Sequence, residues 1–284
     1  MNKHEAVVNK FHELHESGCF VLPNPWDAGS AIYLEHLGFQ AVATTSAGFA
    51  FTKGLPDDPE LIPREMMLEH FCEIAAATSL PVNADFQNGF ADDPEGVAES
   101  VRLCAATGIA GLSIEDGTGR KNQPLYDFDL AVARIKAARA AIESEPPAVA
   151  GGPNAGVVLT ARCEAFLVGD PDPLRTSLER LVAFADAGAD CLYAPGVTEP
   201  DEITQIVKAV SPKPINVLAF AKNCHLTVNQ LADLGVRRIS VGSSLARAAW
   251  GGLIRAAEEI QASGSFQSFA NAATFDLNGL FRNR

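Results

Sequence analysis

A (β/α)8 barrel with a C-terminal helical extension is the fold these residues predict, and three observations carry that reading. Eight short apolar, β-rich runs recur along the chain. Segments with helical spacing lie between them, and 284 residues is a normal length for one such barrel. Strands that alternate with helices pair in parallel through right-handed crossovers, and eight of these units close most naturally on themselves. An open doubly wound sheet is the competing architecture, but the first run lacks the G-x-G-x-x-G turn a dinucleotide needs.

The elements follow in order. CFVLP (19–23) opens the series and leads into AGSAIYLEHLG, which ends on Gly38. QAVATT (40–45) is second; LPVNAD (80–85) is third and breaks through FQNGF into PEGVAESVRLCAATG, ending on Gly108. IAGLSIED (109–116) is followed by the loop GTGRKNQPLYD (117–127) and the helical DLAVARIKAARAAIE. EPPAVAGGPNAG (145–156), rich in Pro and Gly, reads as a surface loop rather than a domain linker. GVVLTAR (156–162) precedes DPLRTSLERLVAFADAG, which stops at Gly188; DCLYAP (190–195), PINVL (214–218) and RRISVG (237–242) complete the set, the last entered from Gly235. These glycines fit helix C′ positions, where a left-handed residue ends the helix. Residues 1–260 are therefore assigned to the barrel and 261–284 to a helical tail. Phe266, Phe269, Phe275 and Phe281 make that tail too apolar to hang free, so it should pack on the barrel or on a neighbouring subunit.

Bulk properties narrow the function. A hydrophobic fraction of 47% supports a large core, while a net charge of −13 without a basic stripe excludes nucleic-acid binding. No run approaches the roughly 18 apolar residues of a membrane span, and the polar start MNKHEAVVNKFHEL lacks a signal-like apolar core. Six scattered cysteines without a C-x-x-C pair fit reduced thiols, and a cytoplasmic location is expected.

In a parallel barrel the chemistry gathers at the C-terminal ends of the strands. That rule selects Asn24 and Asp27, Thr45 and Ser46 with the backbone of Ala47, Asp85, Glu115 and Asp116, Arg162, Tyr193, Asn216, and Gly242 with Ser243. Asp57 and Asp58 add acids from the loop after the second strand. Close carboxylate pairs repel by roughly 4 kcal/mol at surface-like dielectric. Either some hold protons with raised pKa values, or a divalent cation neutralises them. Oxygen ligands without His or Cys suit Mg²⁺ or Mn²⁺ better than Zn²⁺. Asp92 and Asp93 read instead as helix caps, and Asp27 can also be one. Arg162 ends a strand where an apolar residue is usual, so it must be paired: with a substrate carboxylate, or with Glu164 or Glu115. Thr45 and Ser46 offer hydroxyls and N–H groups to an anion. Neither Lys213 nor Lys222 projects from a strand end, which argues against a Schiff-base aldolase.

Taken together, NPWDAGSA (24–31), TTSAG (44–48), VNADFQNGF (82–90), LSIED (112–116), LTARCEAF (159–166), PINVL and ISVGSSLARAA (239–249) resemble the isocitrate lyase/phosphoenolpyruvate mutase superfamily in its short-chain branch. The resemblance implies a (β/α)8 barrel and a Mg²⁺-dependent site for a small anionic 2-oxo or 2-hydroxy acid. It also implies a homodimer or homotetramer that exchanges the eighth helix. On this likeness Asp85 would bind the metal directly and Glu115 through water. Asp57 or Asp58 would be the acidic loop residue, Thr45, Ser46 and Ala47 the carboxylate-binding turn, Arg162 the substrate-gripping Arg, and 117–127 the gating loop.

Two departures matter. The gating loop has neither the Cys nor the His with which isocitrate-type lyases protonate the released carbanion, so that route is not expected. Arg120, Lys121 and Asn122 are similar in type to loop residues of phosphonopyruvate-processing members. Gln87 stands where relatives commonly have Asp or Glu; its amide can still hydrogen-bond a metal-bound water, and Gln87→Glu should tighten Mg²⁺ binding. The expected function is a Mg²⁺-dependent lyase that decarboxylates or cleaves a small 2-oxo or 2-hydroxy dicarboxylate such as oxaloacetate, through a metal-stabilised enolate. The alternatives are a phosphorus–carbon mutase or hydrolase and a non-catalytic 2-oxo-acid binder.

Overall fold

The computed structural model describes residues 3–58, 61–144, 156–223 and 225–282. The predicted loop at 145–156 therefore lies outside the described residues except for Gly156.

All eight expected runs are strands. In chain order the elements are α1 (Lys3–Glu16), β1 (Phe20–Leu22), α2 (Ala28–His36), β2 (Val42–Ala43), α3 (Ser46–Thr52), α4 (Arg64–Ala77), β3 (Val82–Asp85), α5 (Pro94–Ala105), β4 (Gly111–Glu115) and α6 (Phe128–Ser144). They continue with β5 (Val158–Arg162), α7 (Ala165–Val168), α8 (Pro173–Asp186), β6 (Cys191–Tyr193), α9 (Pro200–Val210), β7 (Ile215–Leu218), α10 (Val228–Asp233), β8 (Arg238–Ser240), α11 (Ser244–Ser263) and α12 (Leu277–Arg282). The strands form one parallel sheet in the order β1-β8-β7-β6-β5-β4-β3-β2. Between β1 and β2 the seam is held by the Ala43 N–H donating to the Pro23 carbonyl at 3.0 Å and by the Asn24 amide donating to the Thr44 carbonyl at 2.7 Å. The eight strands thus make a nearly closed barrel.

Local sequence chemistry sets the helix ends. Asp93 accepts from the Gly96 N–H ahead of Pro94 at the first position of α5, and Asp172 does the same for α8. Gly188, beyond α8, has φ 101°, and a Cβ there would stand 2.8 Å from Cγ of Arg139, so only glycine fits.

Strand alternation then sorts the side chains. On β3 to β5 the outward residues Val82, Ala84, Leu112, Ile114, Leu159 and Ala161 are buried against the helices. The inward set, Asn83, Ser113, Thr160, Asn216, Ser240 and Arg238, is polar where barrels usually stack branched aliphatics. Below them α1 closes the floor: Phe11 is fully buried edge-on to Phe20, with ring centroids 6.4 Å apart. Gly111 makes room for it, since a Cβ there would lie 2.6 Å from Cε1 of Phe11.

The eighth helix departs from the ring. Over its 20 residues α11 buries only Ala246, whereas the 14-residue α8 buries four side chains. Trp250, Leu253, Ile254 and Ile260 are exposed along it. The tail folds back: Glu259 accepts the N–H groups of Gln267 and Ser268, Phe266 lies tilted against Phe269, and Phe275 lies against Tyr33 and His36 of α2. No described helix is long and apolar enough to cross a membrane.

Candidate active site

A cavity of about 350 Å³ opens at the C-terminal ends of the strands and reaches down the barrel axis. Arg162 stands at its centre. From the end of β5 it donates to Oδ1 of Asp85 at 2.7 Å and Oε1 of Glu164 at 2.9 Å, and pairs with Oε2 of Glu115 at 3.1 Å. Its guanidinium also lies 5.2 Å from the centre of the Tyr193 ring. One buried cation thus serves three carboxyl groups.

The other oxygen of Asp85 accepts the Ser46 N–H at 3.0 Å, so the first turn of α3 is docked on the acid at the end of β3. Thr45 caps that helix through the Gly48 N–H, and the Thr44 hydroxyl accepts from the Asp85 N–H at 2.9 Å. Gln87 follows with φ 48°, a left-handed conformation that costs a non-glycine residue roughly 1–3 kcal/mol. The twist turns its carbonyl to the Glu115 N–H at 2.9 Å, tying the mouths of β3 and β4 together. Its side-chain N–H faces Oδ1 of Asp57 at 3.4 Å, which directs the amide oxygen elsewhere. That oxygen is buried and has no hydrogen-bond partner among the described residues.

Burial shifts three of the acids, Glu115, Glu164 and Asp57, upward. Burial raises Glu115 well above the usual carboxylate range; Arg162 opposes the shift, and Glu164, Asp85 and Asp57 add to it. Burial also raises Glu164 and Asp57, the latter helped by the charge of Asp85. Tyr193 is pushed up to about 12 by burial and stays a neutral phenol. A carboxyl raised in the folded state stabilises the fold fully below its unfolded pKa, and that contribution is lost as pH rises through the folded value. Glu115 therefore contributes stability to the metal-free protein at about pH 5 that is lost toward about pH 8, and Glu115→Gln should remove that part of the pH dependence. Thermal melts in chelator across that range test this; an unchanged slope in the variant would take Glu115 out of the account.

Most residues expected at the mouth line the cavity: Thr45, Ser46, Ala47, Asp57, Asp85, Gln87, Glu115, Arg162 and Tyr193, with Asn24 and Asn216. The last two are already engaged. Asn24 accepts the N–H groups of Val241 and Gly242, and Asn216 bridges Ser240 and Arg238. Others stand elsewhere. Asp27 caps α2 in a reciprocal box with Ser30, because an acid just before a helix finds free N–H groups closer than any substrate. Asp58 is outside the cavity lining; its carbonyl accepts from Leu61 and Ile62. Arg120 pairs with Asp92 on the outer side of the loop, and Lys121 and Asn122 are exposed; only Gly117 and Gly119 of that loop border the cavity. Asp92, read as a cap, instead holds Arg120 and the Tyr126 hydroxyl.

Asp116 points away from the mouth. It accepts the Glu164 N–H at 2.8 Å and an N–H of Arg180 at 3.0 Å, while Arg180 also donates to the Tyr126 carbonyl at 2.8 Å. The base of the 117–127 loop is thereby clamped to α8. Glu164 is the chief residue that strand-end reasoning left out of the site. It sits two positions past the end of β5, in the turn before α7.

The sequence model of a family described as phosphoenolpyruvate phosphomutase matches residues 11–261. The chain belongs to the isocitrate lyase/phosphoenolpyruvate mutase superfamily. This superfamily consists of carbon–carbon lyases and mutases. Among superfamily relatives, an uncharacterised protein of Mycobacterium tuberculosis is 32% identical over 239 residues, 82% of this chain and 81% of its own. An oxaloacetate decarboxylase of Pseudomonas entomophila is 29% identical, covering 84% of this chain and 79% of the relative. A crystal structure from Burkholderia cenocepacia, provisionally described as a lyase/mutase, superposes with a TM-score of 0.91 at 46% identity, over 99% of this chain and 97% of that one.

The superfamily implies a divalent metal, and the donors here fit one. Asp85, Glu115, Asp57 and Gln87 offer only oxygen, the preference of a hard cation. The unpartnered, buried amide oxygen of Gln87 is an acceptor waiting for a donor such as a metal-bound water. Among the described residues no three His, Cys, Asp or Glu side chains already form a closed cage, because Arg162 stands between the acids. Mg²⁺ needs no such cage; it is commonly held by one or two carboxylates with several waters retained.

Proposed function

We propose that this protein is a Mg²⁺-dependent lyase that decarboxylates or cleaves a small 2-oxo or 2-hydroxy dicarboxylate of the oxaloacetate type. The observation that carries the proposal is Arg162 set among Asp85, Glu115 and Glu164 at the mouth of a polar cavity, beside the Ser46 N–H. The similarity to an oxaloacetate decarboxylase supports the same reading.

Asp85 and Glu115 would hold the metal, directly and through water, with Gln87 bonding one of its waters. Bound there, Mg²⁺ would polarise the substrate carboxylate and the adjacent oxygen. Arg162 would exchange part of its contact with Asp85 for the substrate carboxylate, a bidentate geometry a guanidinium suits. Thr45, Ser46 and Ala47 would supply N–H and hydroxyl donors to the same anion. As the carbon–carbon bond breaks, its electron pair stays on the substrate and the carbon then takes a proton. Glu164, raised by burial and not among the proposed metal holders, would be the group that carries that proton. Gly117 and Gly119 place the loop at the rim, where closure would exclude water.

Arg120, Lys121 and Asn122 stand outside the cavity, on the loop whose closure would carry them toward it. The test is a panel of 2-oxo and 2-hydroxy diacids, with phosphonopyruvate followed by phosphorus NMR. Mg²⁺-dependent release of carbon dioxide or a smaller oxo acid is expected. Turnover of phosphonopyruvate alone would replace this reading with the phosphorus–carbon one, and tight binding without any turnover would leave a 2-oxo-acid binder.

The bare apolar side of α11 supports assembly as a homodimer or homotetramer, with the eighth helix packed on a neighbouring barrel. Leu253→Asp combined with Ile254→Asp is expected to yield monomers by light scattering. An unchanged mass would remove that face from the interface.

A further inference from the structure

The cavity does not end at the acids. Below them its wall includes Asn83, Ser113, Asn216 and Ser240, and its floor is Arg238. Arg238 is only 2% exposed, and among the described residues its guanidinium pairs with no carboxylate. It donates instead to three uncharged acceptors: Oδ1 of Asn216 at 2.9 Å, Oγ1 of Thr160 at 3.0 Å, and Nε2 of His15 at 3.2 Å. His15 is itself neutral, its pKa lowered to about 3 by burial and by the charge of Arg238. The floor of the barrel therefore holds a fixed positive charge without a counter-ion, facing a cavity.

A guanidinium has five N–H donors, and three contacts do not exhaust them. The Asn216 amide, held by Arg238 through its oxygen, turns its N–H to Oγ of Ser240 at 2.9 Å, so three neighbouring side chains form one hydrogen-bonded floor. A neutral ligand would leave the charge unanswered, and a second cation would be repelled. Carboxylate oxygens match both the charge and the spare donors.

We infer that Arg238, with Asn216 and Ser240, seats the second carboxylate of a dicarboxylic acid whose first carboxylate is held at Arg162. The inference rests on the reading of the upper site as a 2-oxo or 2-hydroxy acid site and adds what that reading lacks: a reason for diacids over monoacids. The substrate stands along the barrel axis, one end among the acids and the other on the floor. Arg237, the neighbouring residue in the same run, points outward and donates to the Gly18 carbonyl, so the two arginines have separate roles.

Calorimetry on the full chain with Mg²⁺ tests this with three probes: oxalate, malate and 2-hydroxybutyrate. Oxalate reports the upper site alone; malate and 2-hydroxybutyrate differ only in the second carboxylate. In the wild type malate should bind at least ~10-fold tighter than 2-hydroxybutyrate, the scale of one charge-assisted contact. Arg238→Met should erase that ratio and leave oxalate affinity within about 2-fold. If the variant does not fold, the wild-type ratio still decides, together with a malate-bound crystal structure in which the distal carboxylate meets Arg238. Equal binding of malate and 2-hydroxybutyrate in the wild type overturns the inference while leaving the upper site standing. A parallel loss of oxalate and malate in Arg238→Met also overturns it, reducing Arg238 to a general source of field. Absence of oxalate binding in the wild type defeats the upper-site reading itself.

Discussion

Asp85→Ala is expected to abolish Mg²⁺-dependent oxalate binding and to lower kcat/KM on the responsive diacid by roughly 10³-fold, about 4 kcal/mol of transition-state stabilisation. The acid is central to the site because its two oxygens face two systems: one meets Arg162 at 2.7 Å and the other the Ser46 N–H at 3.0 Å. Removing it takes away the proposed direct metal ligand and frees the turn that presents Thr45, Ser46 and Ala47. Asp85→Asn separates these effects, since an amide oxygen can still accept the Ser46 N–H but has no charge to hold a cation. Both variants should lose metal affinity by calorimetry, while only Asp85→Ala should loosen α3 by hydrogen exchange. Unchanged Mg²⁺-dependent binding in both would move the metal away from the end of β3.

Arg162→Leu should cost more than activity. The side chain is buried among Asp85, Glu115 and Glu164, and removing one partner of such a set leaves charges stranded in low dielectric. Breaking a buried pair in this way typically costs about 3–5 kcal/mol, which for a chain of this size lowers Tm by roughly 5–8 °C. The loss should grow with pH. Without the guanidinium the carboxyls rise further, so their protonated forms support the fold at low pH and that support disappears as pH increases. Melts at about pH 5 and about pH 8 should show the larger deficit at the higher value. Arg162→Lys keeps the charge but loses the planar fork that reaches three acids at once. It should restore much of the stability while turnover stays about 100-fold down. Full activity in the lysine variant would show that Arg162 neutralises the acids without holding the substrate.

Much of this molecule was legible in the sequence. Runs of β-rich residues, periodic helical segments and glycines at helix ends are local signals, and each of the eight expected strands formed within its predicted run. The strand-end rule then found Asp85, Glu115 and Arg162, because alternation along a parallel strand fixes which residue reaches the mouth. Loops obeyed no such rule. Arg120 could be placed near the site by position but not by direction, and in the fold it turns outward to Asp92. Glu164 was legible as a partner for Arg162 but not as a cavity residue, because it lies in a turn, where side-chain direction follows from packing and not from period. Asp27 was ambiguous for a chemical reason: an acid before a helix can cap it or face the cavity, and Ser30, three residues on, was the sign that it caps.

Arg238 marks the boundary between the two kinds of knowledge. Two arginines in succession open RRISVG, and a period of two requires that one face inward and one outward, without saying which. By itself the sequence determined the strands, their order of alternation with helices, and the acidic, oxygen-rich character of the mouth. These depend on neighbours a few residues apart. Only the tertiary structure decided that Arg162 would share three carboxylates, that Gln87 would carry an unpartnered amide oxygen, and that Arg238 would lie on the floor of the same cavity. Barrel closure is the reason: it brings Asp85 and Arg162, 77 residues apart, to 2.7 Å, and joins into one pocket groups whose meeting no local pattern records.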